Sequence, residues 1–342
     1  NMSPKNLNAS KKTHKFLINR LKDKRIFQIY KKFENDITLN KDFIVAVSGG
    51  ADSLALSFLA KIYSIKKSLD VKYFIVDHKL RKNSTLEAKK VQKHLKKFSI
   101  NLNILTWNGH KPKKNIQSIA RDKRYELLIN KAKKFKIKNI LIGHHLDDLF
   151  ENFFIRILRG SGLKGLISLG RETKIDDINL MRPLISLDKN DLVYISNYVF
   201  RSFVEDPSNK NDKFKRIKIR NFLNQLSLEG LDRKKFLLTI KNLKIANENI
   251  KFYTTKNLKE NTTIFQKKDI AILKEGFFLQ SDEVIFRSFA EIIKMIGKKY
   301  YFVRGKKIDK IIDLVKSKSS FKVTLGGCLI KKVNGTVLLT KE

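Results

Sequence analysis

The feature that most constrains this chain is an apolar run over residues 43–47, FIVAV, which ends abruptly in the small residues Ser48-Gly49-Gly50. A short run rich in Val, Ile and Phe is typical of a strand that is buried in a parallel sheet. From residue 52 onward, leucines and alanines recur with helical spacing. The sequence therefore predicts a strand, a tight turn and a helix, with Asp52 and Ser53 in the first helical turn.

The start of such a helix suits an anion, because its first backbone N–H groups have no partner inside the helix and the helix dipole adds positive potential. Two glycines let a phosphate approach the backbone closely. Ser48 and Ser53 offer hydroxyl donors, and Asp52 is a ligand for a phosphate-bound Mg²⁺. An ordinary tight turn with a capping serine would use the same residues, so turn chemistry alone leaves both interpretations open.

Charge is the compositional outlier. The 342 residues include 73 Lys and Arg against 33 Asp and Glu, a formal net charge of +40. So basic a chain favours a polyanionic partner, since each phosphate that it neutralises releases counterions. Nucleic acid is the first candidate and a membrane surface is the main competitor, while a compositional drift toward Lys, Ile and Asn would explain part of the charge without any function.

Several classes of protein are excluded by what the sequence lacks. The single cysteine, Cys328, rules out a disulfide framework and any C-x-x-C site. The Lys-rich N-terminal region has no apolar core of a signal peptide, and no apolar run approaches the length of a membrane span. We therefore expect a cytoplasmic protein without a membrane segment, and the length predicts two domains.

Strands and helices alternate through the first half of the chain. Four βα units at this spacing predict an α/β fold with a doubly wound parallel sheet, in which ligands bind beyond the carboxyl ends of the strands where the strand order reverses. The candidate strands are 43–47, 71–77, 101–106 and 139–143, and the candidate helices are 52–67, 84–98, 115–135 and 147–159.

We expect residues 1–212 to form the catalytic domain and residues 213–342 a second, smaller, mostly helical α+β domain. Helical patterns in the second part are followed by short strand-like pieces, and Asn334-Gly335 is typical of a hairpin turn. The helices are predicted at 221–260, 281–296 and 306–318, and the strands at 263–265, 271–273, 277–279, 321–325, 328–333 and 336–339.

A dense polar cluster, GHHLDDLFE, follows the fourth strand at 143–151. Asp147 and Glu151 share one face of a helix that starts near residue 146. His144, Asp148 and Glu151 are of the types that bind transition metals, although no second His/Cys cluster completes a shell. Acidic residues in a first helical turn also simply complement the helix dipole. Opposite the 48–53 turn, the cluster would suit Mg²⁺ or the amine of a cationic substrate.

Three further segments are basic. Residues 160–165 spell G-x-G-x-x-G but follow a helix rather than a strand, which excludes a dinucleotide site and leaves a basic loop near phosphates. Most lysines of 108–138 suit a solvated face, whereas Arg121 and Arg124 lie beside core-facing positions and suit directed contacts. Basic residues alternate with Phe and Ile over 213–220, which fits a nucleic-acid stem or merely a solvated helix start.

The six residues SGGADS at 48–53 resemble the SGGxDS signature of the PP-loop ATP pyrophosphatases, and the Walker A pattern is absent. Further motifs then follow in order, and together they resemble the tRNA(Ile)-lysidine synthetase family over about residues 40–225, with a weaker likeness near the C-terminus. Asn152 stands where the family usually has Thr, and we expect the further C-terminal domain of many members to be short or missing here. The motifs are VDHKLR at 76–81, ARDKRY at 120–125, GHHLDDLFEN at 143–152, RILRGSGLKGL at 156–166, MRPL at 181–184, and EDPSN followed by KRIKIR between 205 and 220.

This resemblance implies a ligase that forms a carbon–nitrogen bond on cytidine 34 of a tRNA(Ile) with a CAU anticodon. ATP would adenylate the C2 oxygen of the cytosine and release pyrophosphate, and the amine of free L-lysine would then displace AMP to give lysidine. The change would switch the codon from AUG to AUA.

The resemblance also implies roles for matching residues. The ATP site would comprise Ser48, Gly49, Gly50, Ala51, Asp52 and Ser53, with Asp52 on Mg²⁺. The lysine site would comprise His144, Asp147, Asp148 and Glu151. Asp52, Asp147, Glu151 and Arg121 would be catalytic, with Arg121 between the α-phosphate and the base. The tRNA contacts would include Arg124, Arg159, Lys215, Arg216, Lys218 and Arg220.

Two other functions compete. A tRNA 2-thiolation enzyme of the same superfamily typically uses paired cysteines, which the single Cys328 argues against. A nucleic-acid-binding protein with an inactive PP-loop is disfavoured by the intact SGGADS and the acidic cluster. The sequence does not decide the oligomeric state, and a homodimer is one possibility.

Overall fold

The computed structural model describes residues 4–81, 83–109, 116–204, 215–298, 303 and 305–342. The motif EDPSN at 205–209 and the first residues of the basic segment 213–220 lie outside the described residues, as do the side chains of Lys215 and Arg216. The chain forms two compact units, Asn1–Leu231 and Asp232–Glu342. This division falls after residue 231 rather than after 212, because the helix at 215–228 packs on the helix at 146–157.

A six-stranded sheet organises the first unit. Its order is β3-β2-β1-β4-β6-β5, and every neighbouring pair is parallel except β5 and β6. Its strands are β1 Phe43–Val47, β2 Val71–Asp77, β3 Leu102–Thr106, β4 Asn139–Leu141, β5 Glu172–Ile175 and β6 Ile178–Met181.

Helices cover both faces of this sheet, as the sequence predicted. Because side chains alternate along a strand, Phe43 and Val45 of β1 enter the core on one face while Ile44 enters the core on the other. The helices are α1 Pro4–Asn19, α2 Lys24–Asp36, α3 Ala51–Lys67, α4 Ser84–Lys96, α5 Ile116–Lys134, α6 Leu146–Ile157, α7 Leu163–Leu166, α8 Lys189–Phe200 and α9 Lys215–Leu228.

The four predicted βα units are confirmed to within a few residues at each end. The hairpin β5–β6 was not predicted, and its antiparallel edge strand makes the sheet mixed rather than purely parallel. Each of its strands has only four residues, and Glu172 and Lys174 are exposed, so the apolar signal of a strand is weak there.

The second unit contains a five-stranded antiparallel sheet of order β7-β8-β11-β10-β9. Its core lies between one face of this sheet and helices α11 and α12. The elements are α10 Arg233–Asn261, β7 Thr262–Phe265, β8 Ile270–Leu273, α11 Asp282–Ile296, α12 Gly305–Ser317, β9 Phe321–Leu325, β10 Cys328–Val333 and β11 Thr336–Lys341.

The turn at Asn334-Gly335 is confirmed, with positive φ at both residues as a two-residue hairpin requires. Two expectations for this part of the chain were wrong. The helical stretch 221–260 is two helices, since Gly230 adopts φ +95° and Asp232 caps α10. Residues Glu275–Phe278 form a 3₁₀ turn instead of the start of a strand. Among the described helices, none has the length and apolarity needed to cross a bilayer.

The first sheet reverses its strand order beside β1. From β1 the chain adds β2 and β3 on one side, and it then returns to place β4 on the other side. Ligands of open α/β sheets bind where this reversal leaves a crevice beyond the carboxyl ends of the strands. The residues that follow β1 and β4 are the SGGADS turn and the GHHLDDLFE cluster, so the fold brings the two strongest sequence motifs to the same crevice.

Candidate active site

One hydroxyl group organises the turn after β1. The Oγ of Ser53 accepts hydrogen bonds from the backbone N–H groups of Ser48 and Gly49, at 3.1 and 3.0 Å, and from the hydroxyl of Ser48, at 3.1 Å. It donates to the carbonyl of Gly50 at 3.0 Å. The N–H groups of Ser48 and Gly49 are therefore directed at Ser53, and the Ser53 hydroxyl, which we expected to donate to a phosphate, is engaged within the turn.

The donors that point out of the turn belong to the start of α3. The first backbone bond of this helix joins the N–H of Leu54 to the carbonyl of Gly50. Helix geometry therefore leaves the N–H groups of Ala51, Asp52 and Ser53 without an acceptor inside the helix. An anion would be bound by this later part of the predicted 48–53 segment.

The two glycines of the turn meet different structural requirements. Gly49 has φ +90°, and a Cβ there would lie 2.6 Å from Val91 Cγ2 of α4. Gly50 has an ordinary φ of −76°, and the nearest atom to an added Cβ would be Ser48 Oγ at 3.8 Å. Gly49 is therefore required by the fold, whereas the bare backbone of Gly50 leaves space that a phosphate can use.

Asp52 forms an ion pair that the sequence did not predict. The Nζ of Lys189, the first residue of α8, lies 2.6 and 2.7 Å from the two carboxylate oxygens of Asp52. Helix α8 is held against α3 by the buried hydroxyl of Ser196, which donates to the carbonyl of Ala51 at 2.6 Å. The packing of α8 thus places the lysine at the mouth of the turn.

His145 connects the turn to the acidic cluster. It caps α6, because the N–H of Asp147 donates to its Nδ1 and its own N–H donates to Asp148 Oδ2. With Nδ1 as an acceptor, a neutral ring carries its proton on Nε2. This Nε2 lies 3.5 Å from Asp148 Oδ2 and 3.8 Å from Asp52 Oδ2. Carboxylates from the two motifs therefore flank one buried ring.

Close backbone packing also brings these motifs together. A Cβ on Gly143 would lie only 3.4 Å from the backbone nitrogen of Ser53 and 3.5 Å from the carbonyl of Asp52. The glycine before the acidic cluster therefore lets β4 approach the start of α3 tightly. The SGGADS turn and the acidic cluster are therefore neighbours at the strand-order reversal, and we call the region that they border the cleft.

A small pocket opens beside the acidic cluster, and Arg182 lies behind one of its lining residues, His144. Arg182 is buried, and its Nε donates to His144 Nδ1 at 3.2 Å while its NH1 donates to the carbonyl of Gly170 and to Thr173 Oγ1. Burial lowers the pKa of this guanidinium. MRPL was identified as a motif without a role for its arginine, and the structure shows that this arginine contacts His144. The pocket is lined by Arg121, His144, Asp148, Glu151, Asn152 and Leu169.

Glu151 and Arg220, which the resemblance assigned to different substrates, form an ion pair. Arg220 of α9 places NH2 2.7 Å and Nε 2.8 Å from Glu151 Oε1. Burial lowers the pKa of Arg220, but the charges of Glu151, Asp148 and Asp147 raise it by more. The net shift of this pKa is therefore upward. Arg220 therefore balances the whole acidic cluster.

Helix α9 reaches this position through its apolar side. Ile219 and Leu223 are buried, and the ring of Phe222 meets the edge of Phe154 of α6 at 5.8 Å. Arg220 lies between these anchors, at 45% side-chain exposure, while the Glu151 carboxylate is 4% exposed. The carboxylate is thus buried, and its cationic partner remains open to solvent.

The other predicted tRNA contacts are scattered over the first unit. Arg124 NH2 lies 3.2 Å from His78 Nε2, and Arg159 and Lys218 are exposed. Burial and the charge of Arg124 lower the pKa of His78 to about 4. Asp77 accepts hydrogen bonds from Ser84, Thr85 and the N–H of Lys79, so this part of VDHKLR forms a satisfied turn.

Within the described ranges, no group of three or more His, Cys, Asp or Glu side chains is arranged to hold a metal ion. The transition-metal site considered for His144, Asp148 and Glu151 is therefore not formed. Asp52 offers one carboxylate beside a helix start. That donor set fits a Mg²⁺ ion shared with substrate phosphates, since Mg²⁺ is often held by one or two carboxylates together with phosphate oxygens.

Comparison with known proteins agrees with this geometry. A family model described as a PP-loop domain matches residues 21–227. The tRNA(Ile)-lysidine synthase of Wolbachia sp. subsp. Brugia malayi (strain TRS) is 31% identical over 306 residues, which cover 89% of this chain and 71% of that protein. The tRNA(Ile)-lysidine synthase of Rickettsia akari (strain Hartford) is 31% identical over 325 residues, covering 92% and 74%.

Among solved structures, the U34-tRNA thiolase NcsA from Methanococcus maripaludis superposes with a TM-score of 0.58 at 18% identity, over 66% of this chain and 81% of that chain. At this identity the likeness concerns the fold alone. The family model and the curated relatives, in contrast, span the turn, the acidic cluster and most of the chain. The chain therefore belongs to the tRNA(Ile)-lysidine synthase family of PP-loop proteins.

Proposed function

We propose that this protein is an ATP-dependent ligase that joins L-lysine to C2 of cytidine 34 in a tRNA(Ile) with a CAU anticodon, giving lysidine, AMP and pyrophosphate. One observation carries the proposal: Asp52 of the SGGADS turn and Asp148 of the acidic cluster flank the same histidine ring. An ATP site and an amine site that share a cleft can act in turn on one base.

In the first step, the C2 oxygen of cytosine attacks the α-phosphorus of ATP, and the bond to the β-phosphate bridging oxygen breaks. Negative charge grows on the departing pyrophosphate, and the N–H groups at the start of α3 stabilise it there. Asp52 would hold the Mg²⁺ that neutralises phosphate charge when it is bound. Arg121, which lines the pocket beside the acidic cluster, is placed to contact the α-phosphate or the base.

In the second step, the amine of L-lysine attacks C2, and the bond from C2 to its adenylated oxygen breaks so that AMP leaves. The amine must lose protons as the bond forms, and Asp147, Asp148 and Glu151 are the nearby acceptors. His145 directs its Nε2 toward both Asp52 and Asp148, so a single ring can hold the carboxylates of the two motifs in register. His144, oriented by Arg182, completes the wall of the lysine pocket.

Arg220 contacts Oε1 of Glu151, so a lysine ammonium that takes this oxygen must displace the guanidinium. Arg220 is also the residue whose side chain is open to solvent, and a phosphate group is a strong bidentate partner for a guanidinium. A tRNA phosphate that draws Arg220 away would leave the buried carboxylate in need of a new cation. Lysine binding would then follow tRNA binding, which protects the enzyme from unproductive complexes.

The basic surface of the protein would bind the tRNA. The net charge of +40 favours a polyanionic substrate, and the exposed Arg159 and Lys218 lie on the same unit as the cleft. The anticodon base must be splayed out of its loop to be reached, which arginine contacts support. Three further points stay predictions. These are a homodimer, a cytoplasmic location, and tRNA contacts made by Arg124, Lys215, Arg216 and the second unit.

The direct test is to incubate the protein with labelled L-lysine, ATP, Mg²⁺ and a tRNA(Ile) transcript with a CAU anticodon. The proposal expects lysine incorporation with one AMP formed per lysine, and no incorporation into a transcript with uridine at position 34. Modification that requires a sulfur donor, or tRNA binding without AMP formation, would contradict it. Cys328, the single cysteine, is fully buried in the core of the second unit, which is a poor position for sulfur chemistry.

A further inference from the structure

The SGGADS turn lacks a group that many phosphate-binding loops contain. In the Walker A motif, a lysine that follows the glycines reaches the β- and γ-phosphates. The six residues at 48–53 offer hydroxyls, backbone N–H groups and one carboxylate, but no cationic side chain. The phosphates of ATP carry several negative charges, so a cation supplied from elsewhere in the fold would fill a clear need.

Lys189 is placed to supply that cation. Its Nζ contacts both oxygens of Asp52, which belongs to the first turn of α3 and therefore to the phosphate-binding end of that helix. The start of α8 is firmly located, since Leu192 and Ile195 are buried in the core that also contains the side of α3. The side chain of Lys189 is nevertheless 41% exposed, so its ammonium lies at the cleft surface and can reorient.

We propose that Lys189 binds the β- and γ-phosphates of ATP, and hence the departing pyrophosphate, by moving a short distance from Asp52 across the start of α3. The proposal rests on ATP being the substrate of this cleft. Lys189 would contact the phosphates as the Walker A lysine does, although it comes from a separate helix rather than from the loop itself. Its departure would also leave the Asp52 carboxylate available to a phosphate-bound cation.

Such an exchange is energetically easy. The carboxylate of Asp52 is 26% exposed, and ion pairs of this kind near a protein surface contribute little net stability, because water solvates both charges when they separate. A four-carbon stem gives the ammonium several ångströms of reach without any movement of α8. The pair can therefore open whenever a more highly charged partner arrives.

The test is equilibrium binding of ATP, pyrophosphate and AMP to the full chain, without tRNA or lysine. For Lys189→Met we expect binding of ATP and pyrophosphate to weaken by about tenfold or more, as for the loss of one charged hydrogen bond, and AMP binding to stay within about twofold. Lys189→Arg should retain most of the affinity. Lys133→Met is the matched control, because it removes an exposed Lys–Asp pair, with Asp176, outside the cleft.

Equal pyrophosphate affinity in Lys189→Met and wild type would overturn the proposal, and so would an equal loss for AMP and ATP. If Lys189→Met does not fold, Lys189→Gln keeps a hydrogen bond to Asp52 while removing the charge, and the same comparison applies. Wild-type protein that binds neither ATP nor pyrophosphate would instead overturn the proposed function itself. The two failures are therefore distinguishable in a single series of measurements.

Discussion

The cleft contains two ion pairs of nearly the same length but of different character. Lys189 approaches Asp52 to 2.6 Å and Arg220 approaches Glu151 to 2.7 Å. Asp52 is 26% exposed, whereas Glu151 is 4% exposed. Distance alone therefore does not decide how an ion pair behaves. What decides is whether water can reach the carboxylate after its partner has left.

This difference suggests how the two ends of the cleft work. An exposed pair contributes about 0–1 kcal/mol, so Asp52 can exchange Lys189 for another cation at little cost. Removing one partner of a buried pair costs about 3–5 kcal/mol, because an uncompensated charge is left behind. We therefore expect another cation to replace Arg220 at Glu151, which in the proposed function is the ammonium of L-lysine.

The largest effect is expected from Arg220→Met. It should lower the free energy of unfolding by about 2–4 kcal/mol, at or below the range for a fully buried pair because Arg220 is itself half exposed. Chemical denaturation measures this quantity. The matched control is the double variant Arg220→Met with Glu151→Gln, in which the buried charge is absent and most of the stability should return. An unchanged denaturation midpoint in the single variant would show that Glu151 is solvated after all.

The same variant also tests the proposed coupling of substrates. Without tRNA, Arg220→Met should bind L-lysine more tightly than wild type, since the ammonium replaces the missing guanidinium. In wild type, addition of an anticodon stem-loop RNA should strengthen lysine binding. Calorimetry that finds one lysine affinity for wild type with RNA, wild type without RNA and the variant would contradict the coupling.

Substitutions at the two glycines of the turn should have different effects on stability and on ATP binding. Gly49→Ala should destabilise the protein by about 2–3 kcal/mol, because φ is +90° and the new Cβ would meet Val91 at 2.6 Å. Gly50→Ala should leave the thermal midpoint nearly unchanged but weaken ATP binding, since its Cβ enters only the space for a phosphate. Equal effects of the two changes on stability would contradict the assignment of different roles.

The contact between His78 and Arg124 predicts that the stability of the protein depends on pH. Burial and Arg124 lower the pKa of His78 from 6.5 to about 4, so the fold favours the neutral ring. The stability that this provides is complete above pH 6.5 and is lost as the pH falls from 6.5 towards 4. Because the ring is partly solvated, the effect should be about 1 kcal/mol. His78→Gln should flatten the stability profile in that window, and an unchanged profile would contradict the assignment.

The smallest effect on stability is expected from Lys189→Met. Its unfolding free energy should stay within about 1 kcal/mol of wild type, because the Asp52 carboxylate remains hydrated. Thermal unfolding of this variant beside Arg220→Met gives the contrast directly. A loss as large as that of Arg220→Met would remove the distinction between the two ends of the cleft.

Much of the fold was predictable because its signals are local. The strand at 43–47 and the helix after it are encoded by consecutive residues, and so are the three βα units that follow. The position of the cleft also followed, since a doubly wound sheet binds ligands at its reversal point. The β5–β6 hairpin escaped because four-residue strands with exposed polar residues have too little periodicity to detect.

The pairing of charges in the cleft was not predictable from local patterns. Lys189 and Asp52 are 137 residues apart, and Arg220 and Glu151 are 69 apart, so only the packing of α8 on α3 and of α9 on α6 brings them together. The different needs of Gly49 and Gly50 likewise depend on Val91 of another helix.

If the turn at 48–53 and the carboxylates of α6 act in succession on one cytidine, adenylated tRNA is an intermediate that a single-turnover measurement can detect. Glu151→Gln preserves the shape of the side chain and an acceptor for Arg220 but removes the charge for lysine. With α-labelled ATP, L-lysine and the CAU-bearing tRNA, we predict that this variant accumulates adenylated tRNA while lysidine forms slowly. Absence of the adenylate, or lysidine formation at the wild-type rate, would contradict the account.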